Sequence, residues 1–108
     1  MENYDFSATQ KIIDKMYEGD KDEIRIGIKH KAGLVRLNSL FAIAENEIKD
    51  DDIIQSVKEL VSDDTIIEAT TIGEYAEALL DVFGIKKYTG DNFQIKGVIK
   101  YKMRIDDM

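Results

Sequence analysis

The sequence predicts a mostly α-helical single domain of 108 residues, built from two antiparallel helical hairpins and finished by a C-terminal strand or extended cap. Three observations predict it. Apolar residues recur at helical spacing over residues 8–85. Acidic and hydroxyl side chains stand where helices need caps. The pattern changes to a period of two only in the tail. At this length, with 44% hydrophobic residues, the chain supports one modest core and no second domain.

The first hairpin is expected over residues 8–48. Ser7 and Gln10 have the spacing of a capping box and open a helix from Ala8 to Glu18, which carries Ile12, Ile13, Met16 and Tyr17 and ends at Gly19. Asp20 and Glu23 repeat the spacing and open a second helix, expected to run to Ile48. Its stripe of Ile24, Ile28, Ala32 and Val35 broadens through Leu34, Leu37, Leu40, Phe41 and Ile43 until the helix is apolar all round, the mark of a central element. "IRIGIKHK" also alternates, through Ile24, Ile26, Ile28 and His30, so a strand competes there. Helix is preferred because the stripe continues into the pattern that follows.

The second hairpin is expected over residues 51–85. Asp50, Asp51 and Asp52 cap its first helix and complement the positive end of the helix dipole, ahead of Ile53, Ile54, Val57, Leu60 and Val61. Thr65 and Glu68 form another capping-box pattern, and Gly84 closes the helix expected from it. On that helix Ile72, Ala76, Leu79 and Phe83 form the core stripe. Thr70, Glu74, Glu77 and Asp81 lie opposite.

In the basic tail, residues 92–105, Phe93, Ile95, Gly97, Ile99, Tyr101, Met103 and Ile105 alternate with mostly polar or basic residues, after a turn at Thr89-Gly90-Asp91-Asn92. Period two predicts a strand. Such a strand needs a partner edge within the chain, in a target, or in a second copy that would make a homodimer.

The two hairpins echo each other. "IIDKMYEGDKDEI" is matched by "IIQSVKELVSDDTII", and Leu37, Leu40, Phe41 and Ile43 by Leu79, Val82, Phe83 and Ile85, at a spacing of 42. A period near 40 residues is that of two-helix solenoids. With Asp20 and Lys21-Asp22-Glu23-Ile24-Arg25 resembling its turn and second-helix start, the chain resembles the HEAT-repeat family over residues 8–85; the second pair departs from the pattern at Ile67, where arginine is expected. The resemblance implies a scaffold that binds proteins through a helical surface, and no chemistry.

Charge divides the chain. Residues 1–44 carry seven acids and seven bases, residues 45–85 twelve acids and two bases, and residues 86–105 one acid and six bases, within a net charge of −7. Such acidity favours a basic protein partner, of the toxin or nuclease kind, and argues against direct binding of nucleic acid. Its plainest alternative is a solvated face that keeps a small protein soluble. No apolar run is long enough for a membrane span, "MENYDFSATQ" lacks the features of a signal peptide, and there is no cysteine, so the cytoplasm is the expected location.

Neither "GDKDE" nor "DDD" has calcium-loop spacing, a single histidine cannot supply a histidine metal site, and the seven glycines form no phosphate loop. No nucleophile motif accompanies His30. No catalytic residue, cofactor or metal is therefore expected. The tyrosines, Tyr4, Tyr17, Tyr75, Tyr88 and Tyr101, suit core margins or interfaces. The expected function is an acidic inhibitor or immunity-type protein that neutralises a basic cognate. A HEAT-like adaptor or oligomerisation module is the alternative, and a nucleic-acid mimic a further one, which the basic tail weakens. The expected contacts are Glu74, Glu77 and Asp81 on the outer face, Asp63 and Asp64 at the preceding turn, and Tyr75 at the edge as an anchor.

Overall fold

A computed structural model of the chain describes residues 6–90, 92 and 94–103. Among these residues the protein is mostly helical. Helices α1 (Phe6–Tyr17), α2 (Lys21–Gly27), α3 (Gly33–Asn46) and α4 (Asp51–Leu60) precede a small antiparallel hairpin, β1 (Ile66–Ile67) and β2 (Thr70–Thr71), which leads into α5 (Ile72–Val82) and then α6 (Ile95–Met103). The expectations at Tyr4, Asp91, Phe93 and Ile105 lie outside the described residues.

The apolar centre predicted around Leu37, Leu40 and Ile43 is α3. Val35, Leu37, Leu40, Ala42, Ile43 and Ala44 are all buried, because α1 and α2 pack on it as well as α5 and α6. α4 packs on α5. The stripe of Ile72, Ala76 and Leu79 faces the same core, whereas Phe83 is only half-buried, with Lys49 Nζ 5.0 Å from its ring centre. Gly19 and Gly84 adopt φ of 89° and 76° at the ends of α1 and α5, the left-handed backbone expected of glycine stops.

Several boundaries differ from expectation for local reasons. Ser7 lies inside α1, and Gln10 donates to Asp14 Oδ1 (2.7 Å) rather than capping. The long second helix is two helices with a corner at residues 28–32. There the His30 ring nitrogen Nδ1 accepts the Ala32 N–H (3.0 Å), and Arg36 reaches back to the carbonyls of His30 and Lys31 (2.8 and 3.0 Å). These side chains satisfy backbone groups that a continuous helix would have satisfied itself. Residues 24–27 are helical, so the competing strand does not form. Asp20 caps α2 through the Glu23 N–H (3.1 Å), as its spacing predicts.

Thr65 and Glu68 do not open a helix. A hairpin forms instead, with Ile66 opposite Thr71 and Ile67 opposite Thr70, and the second T-x-x-E in the sequence caps α5, where Thr71 Oγ1 accepts the Glu74 N–H (3.1 Å). The first turn of α5 also meets the end of α4 closely. Gly73 N–H donates to Asp63 O (2.8 Å), and a Cβ at Gly73 would collide with the carbonyl oxygens of Val61 and Asp63.

The tail is corrected most. Residues 95–103 form a helix, not a strand, because Ile95 and Ile99, one turn apart, are both buried against α3 and α5. Asn92 supplies the start, its carbonyl accepting the Ile95 N–H and its side chain the Gln94 N–H (3.3 and 3.1 Å). Tyr101, which continues the alternation, points to solvent. Among the described residues the tail therefore offers no strand edge to a second copy.

The hairpin turn, Glu68-Ala69, holds two non-glycine residues at φ of 52° and 69°. A two-residue turn of this hand prefers Asn-Gly, and the left-handed backbone costs an ordinary residue about 1–2 kcal/mol. Replacing Glu68→Asn together with Ala69→Gly is expected to raise stability by about 1–2 kcal/mol, read as a higher urea midpoint at unchanged slope. An unchanged midpoint would show that the turn carries no such strain.

Candidate functional site

The acidic face predicted opposite the core stripe lies on α5, but the chain itself occupies it. The Tyr88 hydroxyl donates to Glu74 Oε1 (3.0 Å) and the Thr89 hydroxyl to Glu77 Oε2 (3.0 Å). Asp81 accepts the Tyr88 N–H at one oxygen (2.7 Å) and Lys96 Nζ at the other (3.3 Å). The Tyr88 N–H is the main reason that the Asp81 carboxyl sits below its ordinary pKa; burial opposes it, and Lys96 adds to it. Burial and the Glu74 carboxylate push the Tyr88 hydroxyl up, against a lowering contribution from Asn92. Thr70, on the same predicted stripe, is buried and accepts from Asn92 Nδ2 (3.4 Å).

Tyr75 is engaged as well. Its ring meets Phe41 edge to face, with centres 5.5 Å apart and planes at 87°, so it ties α5 to α3. Burial first, and then Glu68 and Glu74, raise its pKa.

Asp63 is a structural acid. Its Oδ2 accepts Arg36 Nε (2.8 Å), with the two side chains only 13% and 16% exposed, and its Oδ1 accepts the Thr65 N–H (3.0 Å). Arg36 also donates to Thr65 Oγ1 (3.0 Å). Burial works against ionisation of Asp63, but the hydrogen bonds from Thr65 and the Arg36 guanidinium outweigh it and hold the carboxyl below its ordinary pKa. Asp64, next in the chain, is exposed and has no ion pair among the described residues. Of the predicted contact residues, the structure brings Glu74, Glu77 and Asp81 together under one internal strap, binds Asp63 into a separate network, and leaves Asp64 open.

Sequence reasoning missed Tyr88, Thr89 and Lys96, which cover the acidic face, and it missed Arg36. The last had a signal: it is the only charged residue in "GLVRLNSLFAIA", and a cation so placed calls for a buried partner. Ile66, 69% exposed on β1, had none.

A second charged cluster joins α2 to α4. Arg25 pairs with Asp22 (3.0 Å), Asp52 (2.7 Å) and Asp50 (3.6 Å), and Lys21 with Asp50 (3.0 Å). Asp50 and Asp52 thus face basic side chains of α2, and Asp50, at the cap position of α4, makes no side-chain cap hydrogen bond, contrary to the expected capping. Two open depressions flank these networks. One, of about 390 Å³, lies among Asp81, Ile85, Lys86, Lys87 and Lys96, and the other, of about 260 Å³, among Arg25, Lys29, Asp52, Gln55 and Glu59. Among the described residues no group of three or more histidines or acids is placed to hold a metal ion, and no helix is long and apolar enough to cross a membrane.

Comparison of the chain with protein-family models, curated proteins and solved structures finds no match.

Two outcomes are expected of these networks. Asp63→Ala should cost about 3 kcal/mol, because it strands the Arg36 charge. With a folded pKa depressed below the unfolded one, Asp63 contributes fully above the unfolded value, and that contribution is lost as pH falls through the folded value. Urea midpoints should thus fall below about pH 4, less steeply in Asp63→Ala than in the wild type. Separately, changing Glu74→Gln, Glu77→Gln and Asp81→Asn together should loosen the strap, so that amides of residues 95–103 exchange about tenfold faster while those of α3 do not. Equal acceleration in both would make the strap part of the global core.

Proposed function

We propose that this chain is a non-catalytic protein-binding module of inhibitor or immunity type, which neutralises a basic cognate protein such as a toxin or nuclease. One observation carries the proposal. The acid-rich stretch of residues 45–85 spends Asp50, Asp52, Asp63, Glu74, Glu77 and Asp81 on internal partners, yet Asp51, Glu59, Asp64 and Glu68 remain exposed with no ion pair among the described residues. They follow one another along α4 and the hairpin, where they outnumber the exposed cation of α4, Lys58, and so shift the expected contact surface from the α5 face towards these elements. Unneutralised surface charge of one sign speeds encounter with a partner of the other sign and disfavours wrong partners.

A second reading, a HEAT-like adaptor or oligomerisation module, draws on a different observation: Val98 and Tyr101 form an exposed apolar pair one turn apart on α6. Self-association that grows with concentration in sedimentation, and is lost in Tyr101→Asp, would favour it.

The test of the first reading is kinetic. With the cognate protein purified, changing Asp51→Asn, Glu59→Gln, Asp64→Asn and Glu68→Gln together should slow association by about tenfold at low salt and leave melting nearly unchanged. The wild-type rate should fall steeply as added salt shortens the screening length towards about 10 Å at 0.1 M. If the on-rates of wild type and variant coincide and neither responds to salt, the charge serves solubility alone.

A further inference from the structure

Ile66 is a β-branched side chain displayed to water on a strand of two residues, and the hairpin that displays it is held at its base from several directions. Arg36 Nη2 and the Asp63 carboxylate fix Thr65, whose carbonyl accepts the Ile72 N–H (2.9 Å). On the other strand Thr71 caps α5 and Thr70 accepts from Asn92. The turn beyond is held in left-handed backbone at Glu68 and Ala69, where Asn-Gly would fit without strain. Unfavourable backbone, a large exposed apolar group and a braced base coincide at one place. Ordering such an element on binding costs little, since it is ordered already.

The charges beside Ile66 specify the partner. Asp64 and Glu68 flank Ile66 in sequence, and Arg36, the cation at the base of the hairpin, is spent on Asp63. Val98 and Tyr101, by contrast, stand on an unstrained helix beside Lys100 and Lys102 and would suit an acidic partner. We infer that the β-hairpin is the chain's anchor, Ile66 on its first strand entering an apolar socket of a basic protein while Asp64 and Glu68, two residues to either side, meet the cationic rim of that socket. The inference rests on the protein-binding function proposed above and names the residue that makes the contact.

The full-length chain carrying a benzophenone amino acid at position 66, with control chains carrying it at the exposed positions 10 and 101, is irradiated in extract from the cell of origin. The protein cross-linked from position 66 is then purified, and its affinity for variants measured. Ile66→Asp should weaken binding by about a hundredfold, chiefly through faster dissociation, while Ile66→Leu stays within about threefold and Tyr101→Asp matches the wild type. Because Ile66 is exposed, melting of Ile66→Asp should match the wild type, which separates contact from folding. Lack of a cross-link from position 66, or a loss below about threefold in Ile66→Asp, overturns the anchor. Charge-dependent association together with a silent Ile66 removes the anchor and leaves the proposed function standing; an Ile66-dependent complex with salt-independent association keeps the anchor residue and removes the basic partner.

Discussion

The ion pair between Arg36 and Asp63 sits where the two halves of the chain have to agree. Arg36 projects from α3, the helix around which four others pack, and its guanidinium serves the α2–α3 corner through the carbonyls of His30 and Lys31 and the α4–β1 turn through Asp63 and Thr65. Both side chains are largely, though not fully, buried. A largely buried pair of this kind adds little net stability over an apolar contact, but a displaced partner leaves a poorly solvated charge without its counterion, which penalises other geometries. The corner that divides the predicted long helix and the turn that launches the hairpin are thus set by the same side chain.

The acidic stretch is explained in good part by intramolecular demand. The basic residues near the chain's end are not a free appendage; Lys96 lies on Asp81, and Lys102 Nζ lies 4.9 Å from the Phe41 ring centre. Lys96 of α6 brings an opposite charge to Asp81, and together with the Tyr88 and Thr89 hydroxyls of the preceding loop it turns a repulsive row of carboxylates on α5 into a set of hydrogen-bond acceptors. The surface acids that remain are fewer than the count of twelve suggests, and they lie on different elements from those where helical periodicity put them.

Apolar stripes were legible more reliably than the caps ahead of them, since Ser7 and Thr65 do not cap the helices expected from them. Asp20 with Glu23 and the row of Ile72, Ala76 and Leu79 were both read in the right place, as was the central position of α3, although Leu34, expected among its buried residues, is 53% exposed. What misled was local pattern without its tertiary answer. Two T-x-x-E patterns stand six residues apart, and only packing of Gly73 against the end of α4 selects the one at Thr71. The tail alternates in sequence, yet two isoleucines one helical turn apart are enough to make it a helix once α3 and α5 present a surface. Covering of Glu74, Glu77 and Asp81 could not be read from their own spacing, since the groups that cover them come from the loop at Tyr88 and Thr89 and from Lys96 on α6.

The contact at Gly73 also decides how force would travel through the molecule. With no side chain on Gly73, the first turn of α5 abuts the carbonyls of Val61 and Asp63, the residues that follow α4, and is joined to them by the bond from Gly73 to Asp63. A pull or twist applied at the hairpin is therefore not taken up by a flexible loop. It is divided between two helices that are themselves packed together, so the short hairpin behaves as a rigid prong on a braced mount.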